Sequence, residues 1–96
     1  MKSKKIRASA KGEDCTLLLG ECSSNETVVL CHIGSIRGMA IKCSDHFAVY
    51  ACSNCHDIID YRANSSYTRQ ELAEIKLIAL ERTQQKLIQK GLLNVV

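Results

Sequence analysis

Four of the six cysteines in this 96-residue chain fall in two pairs, and no other feature limits its folding options as much. Cys15 and Cys22 are spaced C-x6-C, and Cys52 and Cys55 are spaced C-x2-C. Two such pairs can supply four thiolates to one tetrahedral zinc. A chain this short buries a limited apolar core, so a staple between distant segments matters. That core is short of aromatic bulk, with one Phe, three Tyr and no Trp. The start, "MKSKKIRASAKGED", is basic and has no apolar segment behind it. The expectation is therefore a cytoplasmic protein, where thiols stay reduced and paired cysteines more often hold metal than bridge. A thioredoxin-type redox pair fits poorly, because that motif belongs to a larger α/β fold. Buried, inert thiols are the plain alternative to zinc. Cys31 lies in an apolar stretch and reads as a packing residue. Cys43 reads as a reactive thiol or a bystander.

The net charge of +3 is unevenly spread. Lys2, Lys4, Lys5, Arg7 and Lys11 crowd the first eleven residues without an acid, whereas residues 12–65 carry an excess of acids. This divides the chain into a basic N-terminal arm, 1–12, and a single domain, 13–96. Such an arm suits a polyanion, and a solubilising tail is the bland alternative. No run approaches the roughly 20 apolar residues of a membrane span.

The domain is expected to begin its core near Cys15. "TVVLCHI" (27–33) and "HFAVYA" (46–51) are β-branched or apolar and read as strands. Between them, Gly34 and Gly38 mark a loop. A short helix follows from Ser53 to Tyr61. Thr68-Arg69-Gln70-Glu71 is a capping box. After it, Leu72, Ile75, Ala79, Leu80, Thr83, Leu87 and Ile88 recur at helical spacing, predicting a helix over 69–90 with Gly91 as its stop. Leu77 and Ile78 widen its apolar surface, so both a monomer and a homodimer through this helix are open.

The histidines add chemistry to this frame. The order strand, loop, strand, helix places His32 at the end of the first strand and His56 at the start of the helix, on an expected shared face. That arrangement suits metal-assisted hydrolysis, one imidazole acting as base and the other holding a divalent cation. Asp60 follows His56 by four residues and projects from the same helix face. The pair can take Mg²⁺ or a transition metal. A structural role for each histidine, or His56 as a zinc ligand in place of a cysteine, is the competing reading.

The run "CHIGSIRG…SDHFAVYACSNCHDIIDYR" resembles the HNH, or ββα-metal, endonucleases, and is more similar still to the YbcO-like nuclease family of lambdoid prophages. The likeness extends from "IRASAKGEDC" through the C-terminal helix. It rests on Gly12-x-x-Cys15, "HI" ending a strand, Asp45 before the second strand, and "ACSNCHDIID". The resemblance implies a small α+β domain stapled by a treble-clef zinc site at Cys15, Cys22, Cys52 and Cys55, with a long C-terminal helix. It also implies His32 as general base and His56 as ligand of the catalytic ion. The chain departs from the pattern at two places. Cys31 stands where an acid often precedes the first histidine, and the middle Asn is absent, with Asp45 and His46 nearby to orient the base.

The leading expectation is thus a metal-dependent endonuclease acting on DNA with low sequence preference, using His32 and Asp45 as catalytic pair. Structural Zn²⁺ and a divalent ion at His56 and Asp60 would be its cofactors. Lys4, Lys5, Arg7, Arg37 and Lys42 are the candidate phosphate contacts. Two other classes stay open: a non-catalytic zinc-stabilised nucleic-acid-binding module, and a zinc-stapled protein-interaction domain.

Overall fold

The computed structural model of the protein describes residues 3–20, 22, 25–33, 44–60 and 65–93. In chain order it contains helix α1 (Lys4–Ser9), a 3₁₀ turn (Asn25–Thr27), strands β1 (Val29–His32) and β2 (Ala48–Ala51), and helices α2 (Ser53–Ile59) and α3 (Arg69–Gln89). The two strands pair antiparallel, with Val29 opposite Ala51 and His32 opposite Ala48. Both are shorter than the apolar runs that predict them. Thr27 is taken up by the 3₁₀ turn, and the Phe47 amide closes a turn on the Ser44 carbonyl before β2 begins. One further backbone bond, from the Ile33 amide to the Phe47 carbonyl, extends the ribbon.

A two-stranded ribbon is marginal in water and needs a covering helix. Here α3 provides it. All four residues of β2 are buried, and from α3 Leu72, Ala79, Leu80, Thr83 and Leu87 are buried too. The outer edge of β2 is closed by hydroxyls. The Tyr50 amide donates to Thr83 Oγ1 at 3.2 Å, and the Tyr50 carbonyl accepts from both the amide and the hydroxyl of Thr16. The two threonine hydroxyls lie 3.0 Å apart, so the edge is satisfied without a third strand.

The ends of α3 follow the sequence. Thr68 and Glu71 form the reciprocal capping box. At the other end Gly91 takes the left-handed conformation, φ 71°. The Gly91 amide bonds the Ile88 carbonyl and the Leu92 amide bonds the Leu87 carbonyl, the pattern of a Schellman cap. Leu77 and Ile78 are exposed, at 68% and 51%. No described helix is long and apolar enough to cross a membrane.

The core does not begin near Cys15. Ile6 is 1% exposed and Ala10 equally buried, both within the main apolar cluster. Residues 4–9 are helical because Ser3 caps the Ile6 amide, and one apolar residue in the turn is enough to dock it. Ser9 also reaches the Tyr50 hydroxyl at 2.6 Å. At the far side Glu13 meets Lys86 and Lys90 of α3 and its cap. The Lys90 hydrogen bond, against the opposing effect of burial, holds the Glu13 carboxyl below its ordinary value.

The hydroxyl edge predicts a specific weakness. Thr83→Val keeps the side-chain shape but strands the Tyr50 amide, and should cost about 1–3 kcal/mol. Urea unfolding of the two proteins side by side checks it. An unchanged midpoint would mean that Thr83 contributes packing alone.

Candidate functional site

The four paired cysteines converge. The Sγ atoms of Cys15, Cys22, Cys52 and Cys55 all lie within 4.8 Å of one another. Those of Cys22 and Cys55 are 3.7 Å apart, against about 3.8 Å for the edge of a tetrahedron with zinc–sulfur bonds of about 2.3 Å. Each half is set by local structure. Cys52 follows β2 directly and caps α2, accepting the Cys55 amide on its sulfur. Cys55 then sits one turn into the helix. Opposite, Leu18 turns the backbone through a left-handed φ of 54°. Leu17 and Leu19 go inward while Leu18 is exposed, and the Leu19 amide donates to Cys55 Sγ at 3.4 Å. Backbone amides aimed at sulfur are the support that a metal-bound thiolate requires. Burial pushes the Cys22 thiol up to about 11 and the Cys55 thiol higher still. Thiols this crowded ionise together only around a cation, which is the chemistry a structural zinc supplies.

A second group lies on the other side of the C-x2-C. Ligand atoms of Cys31, His56 and Asp60 are also within 4.8 Å of one another. His56 and Asp60 stand one helical turn apart, with Nε2 and Oδ2 at 3.0 Å. His56 therefore belongs to this group and not to the four cysteines, which answers the alternative that it replaces one of them.

His32 meets a different partner from its neighbour Cys31. Successive residues of a strand point to opposite faces. On β1 it is Cys31 that meets His56 and Asp60, while His32 Nε2 bonds Asp45 Oδ1 at 2.8 Å. Asp45 is 3% exposed. Its second oxygen accepts the Ser3 amide and faces Arg7 Nε at 3.5 Å. Burial raises the Asp45 pKa, but the Ser3 amide, the His32 bond and the Arg7 charge outweigh it and hold the carboxyl below its ordinary value. An ionised carboxylate only accepts, so in the neutral ring Nε2 carries the proton and the basic lone pair is on Nδ1. Cys31 and His32 are consecutive on β1, so one strand carries a member of each group.

Of the candidate phosphate contacts, Lys4 and Lys5 are exposed on α1. Arg7 is exposed too, but it is engaged with Asp45, a role that its place in a basic run gave no reason to expect. Arg37, Lys42 and Cys43 lie outside the described residues.

The chain matches known proteins over nearly its whole length. A family model described as "Putative nuclease YbcO" matches residues 4–92. A protein of Escherichia coli K12 named "Putative nuclease YbcO" is 35% identical, over 93% of this chain and 96% of that one. A protein of Enterobacteria phage 82 with the same name is equally similar over the same shares. Among solved structures, a bacteriophage protein from Escherichia coli K-12 superposes with a TM-score of 0.72 at 31% identity, covering 91% of this chain and 100% of that one.

Two measurements follow from the site. The purified protein should carry about one zinc per chain, and Cys55→Ser should lose it and melt at lower temperature. Metal analysis with a melting curve decides this. Because the Asp45 pKa is lowered on folding, its stabilisation is fully present above the unfolded value of about 3.9 and is lost as pH falls through the lower folded value. Asp45→Asn should thus be less stable than the parent at neutral pH, and the gap should narrow in acid.

Proposed function

The chain belongs to the YbcO family, and we propose that it is a metal-dependent endonuclease of the HNH (ββα-metal) kind, a treble-clef zinc domain that hydrolyses phosphodiester bonds of DNA with low sequence preference. The observation that carries this reading is a partly exposed His32 held by the buried Asp45 carboxylate on the strand whose preceding residue meets the His56–Asp60 pair. The names of the relatives support the reaction class.

In this reading Asp45 fixes the His32 tautomer, and His32 takes a proton from water at Nδ1. The water oxygen bonds to phosphorus in line as the phosphorus–oxygen bond to the leaving nucleotide breaks. The leaving oxygen takes a proton from solvent water and His32 returns its own to solvent, so the products are a phosphate monoester and a hydroxyl. His56 and Asp60 would hold a divalent ion, whose part is to neutralise charge on the phosphate and leaving oxygens. Zinc at Cys15, Cys22, Cys52 and Cys55 would hold the start of α2, and with it His56. Lys4 and Lys5 on α1, beside the Asp45 anchor, are proposed phosphate contacts, with Arg37 and Lys42 from the connection between the strands. Contacts to the backbone alone bind without reading bases, so affinity should fall steeply with salt.

Cleavage of plasmid DNA across Mg²⁺, Mn²⁺, Co²⁺, Ni²⁺ and Zn²⁺ tests this. His32→Ala should lower the rate by roughly 10²–10⁴-fold while leaving DNA binding in place. If the parent binds DNA but cuts it with none of these ions, the protein is a non-catalytic binding module and the proposal fails.

A further inference from the structure

We propose that Cys31 is a third ligand of the ion at His56 and Asp60, so that this site takes a borderline transition ion such as Zn²⁺ or Co²⁺ and rejects Mg²⁺. The inference rests on the ion proposed at His56 and Asp60, and it narrows which ion that is.

Three observations carry it. The sulfur of Cys31, a ring nitrogen of His56 and a carboxylate oxygen of Asp60 lie within 4.8 Å of one another. Zinc bonds of about 2.3 Å to sulfur and about 2.0–2.2 Å to nitrogen and oxygen set ligand separations of about 3.4–3.6 Å, between the 3.0 Å of His56 and Asp60 and the 4.8 Å that bounds the group. Next, the group shares no residue with the four-cysteine cluster, so the two ions would not compete for ligands. Finally, burial is graded across the site. Cys31 is 3% exposed, whereas His56 and Asp60 keep about a third of their side chains in solvent. Three protein ligands, with the thiolate as floor and the other two at the rim, leave a fourth position toward solvent, as in zinc sites that act on substrates.

The competing reading makes Cys31 a small packing residue of the strand. That accounts for its burial but not for the imidazole and carboxylate gathered at its sulfur. Chemistry then sets the ion. Mg²⁺ demands near-octahedral oxygen ligation and gives up its water reluctantly. A thiolate favours softer ions, and imidazole suits zinc and its neighbours.

The test uses the full chain with the four-cysteine site already filled with zinc, and Co²⁺ as the probe. The parent should bind one further Co²⁺ with visible bands of a four-coordinate ion and a near-ultraviolet sulfur-to-cobalt charge-transfer band. Metal analysis should show the first zinc retained. Cys31→Ser should lose the charge-transfer band and bind Co²⁺ roughly tenfold or more weakly. His56→Ala should lose the same band, which keeps the test decisive if the serine variant folds poorly. Excess Zn²⁺ should displace the cobalt and excess Mg²⁺ should not. A bound Co²⁺ whose spectrum is the same in parent and Cys31→Ser, displacement by Mg²⁺, or no bound Co²⁺ beside the zinc would overturn the inference. These readings are of binding, so they stand apart from the cleavage assay. A protein that cuts DNA through His32 but shows no cobalt–sulfur band loses this inference alone.

Discussion

Four sulfur atoms from segments about thirty residues apart meet at the point where β2 becomes α2, and the rest of the site depends on that meeting. The ribbon has two strands and the helix that follows has seven residues. Neither is long enough to hold a side chain in a fixed direction unaided. Cys52 and Cys55 bind the first turn of α2 to the Leu17–Leu19 turn, whose amide already points at sulfur. His56 is the next residue, so its direction is set by the same turn. Asp60 follows one turn later, and its own amide returns to the His56 carbonyl.

The parity of β1 then sends its two consecutive polar side chains to different partners. Cys31 faces α2, and His32 faces Asp45. A shift of one residue in the pairing of the strands would exchange them and place a thiol against the buried carboxylate. The register is guarded on both sides. β2 is buried on every residue, and its outer edge is locked to α3 by Thr16 and Thr83. A helix that only completes the core in the sequence therefore also fixes which side chain meets which partner at the site.

Much of this was legible in the residues. The cysteine pairs, the two strands, the capping box and the Gly91 stop all rest on local chemistry, which a single sequence displays directly. Parity along β1 was legible too, since Cys31 and His32 are consecutive, but an apolar strand invites the reading of a cysteine as packing. Other features were not available. Leu18 adopts a left-handed turn without a glycine or asparagine to announce it. Helix α1 is six residues of mostly charged and small side chains, below any length at which periodicity speaks. Its place is decided by Ile6 entering a pocket made by residues far along the chain.

The N-terminal segment shows what charge alone leaves unsaid. Its lysines and arginine suggest an arm that reaches outward to a polyanion. Within that segment the Ser3 amide and Arg7 also converge on the buried Asp45 carboxylate that holds His32. A carboxylate removed from water needs compensating donors and charge, and α1 with its cap supplies both, while Ile6, between Ser3 and Arg7, is buried in the core. Moving any one of the three partners exposes Asp45 to the cost of an uncompensated charge. The segment's position is therefore coupled to the ring of His32 through a single side chain, and the exposed Lys4 and Lys5 sit on the same short helix. Basic charge and the oriented imidazole are thus fixed relative to each other by the fold, although nothing in the composition of residues 1–12 connects them.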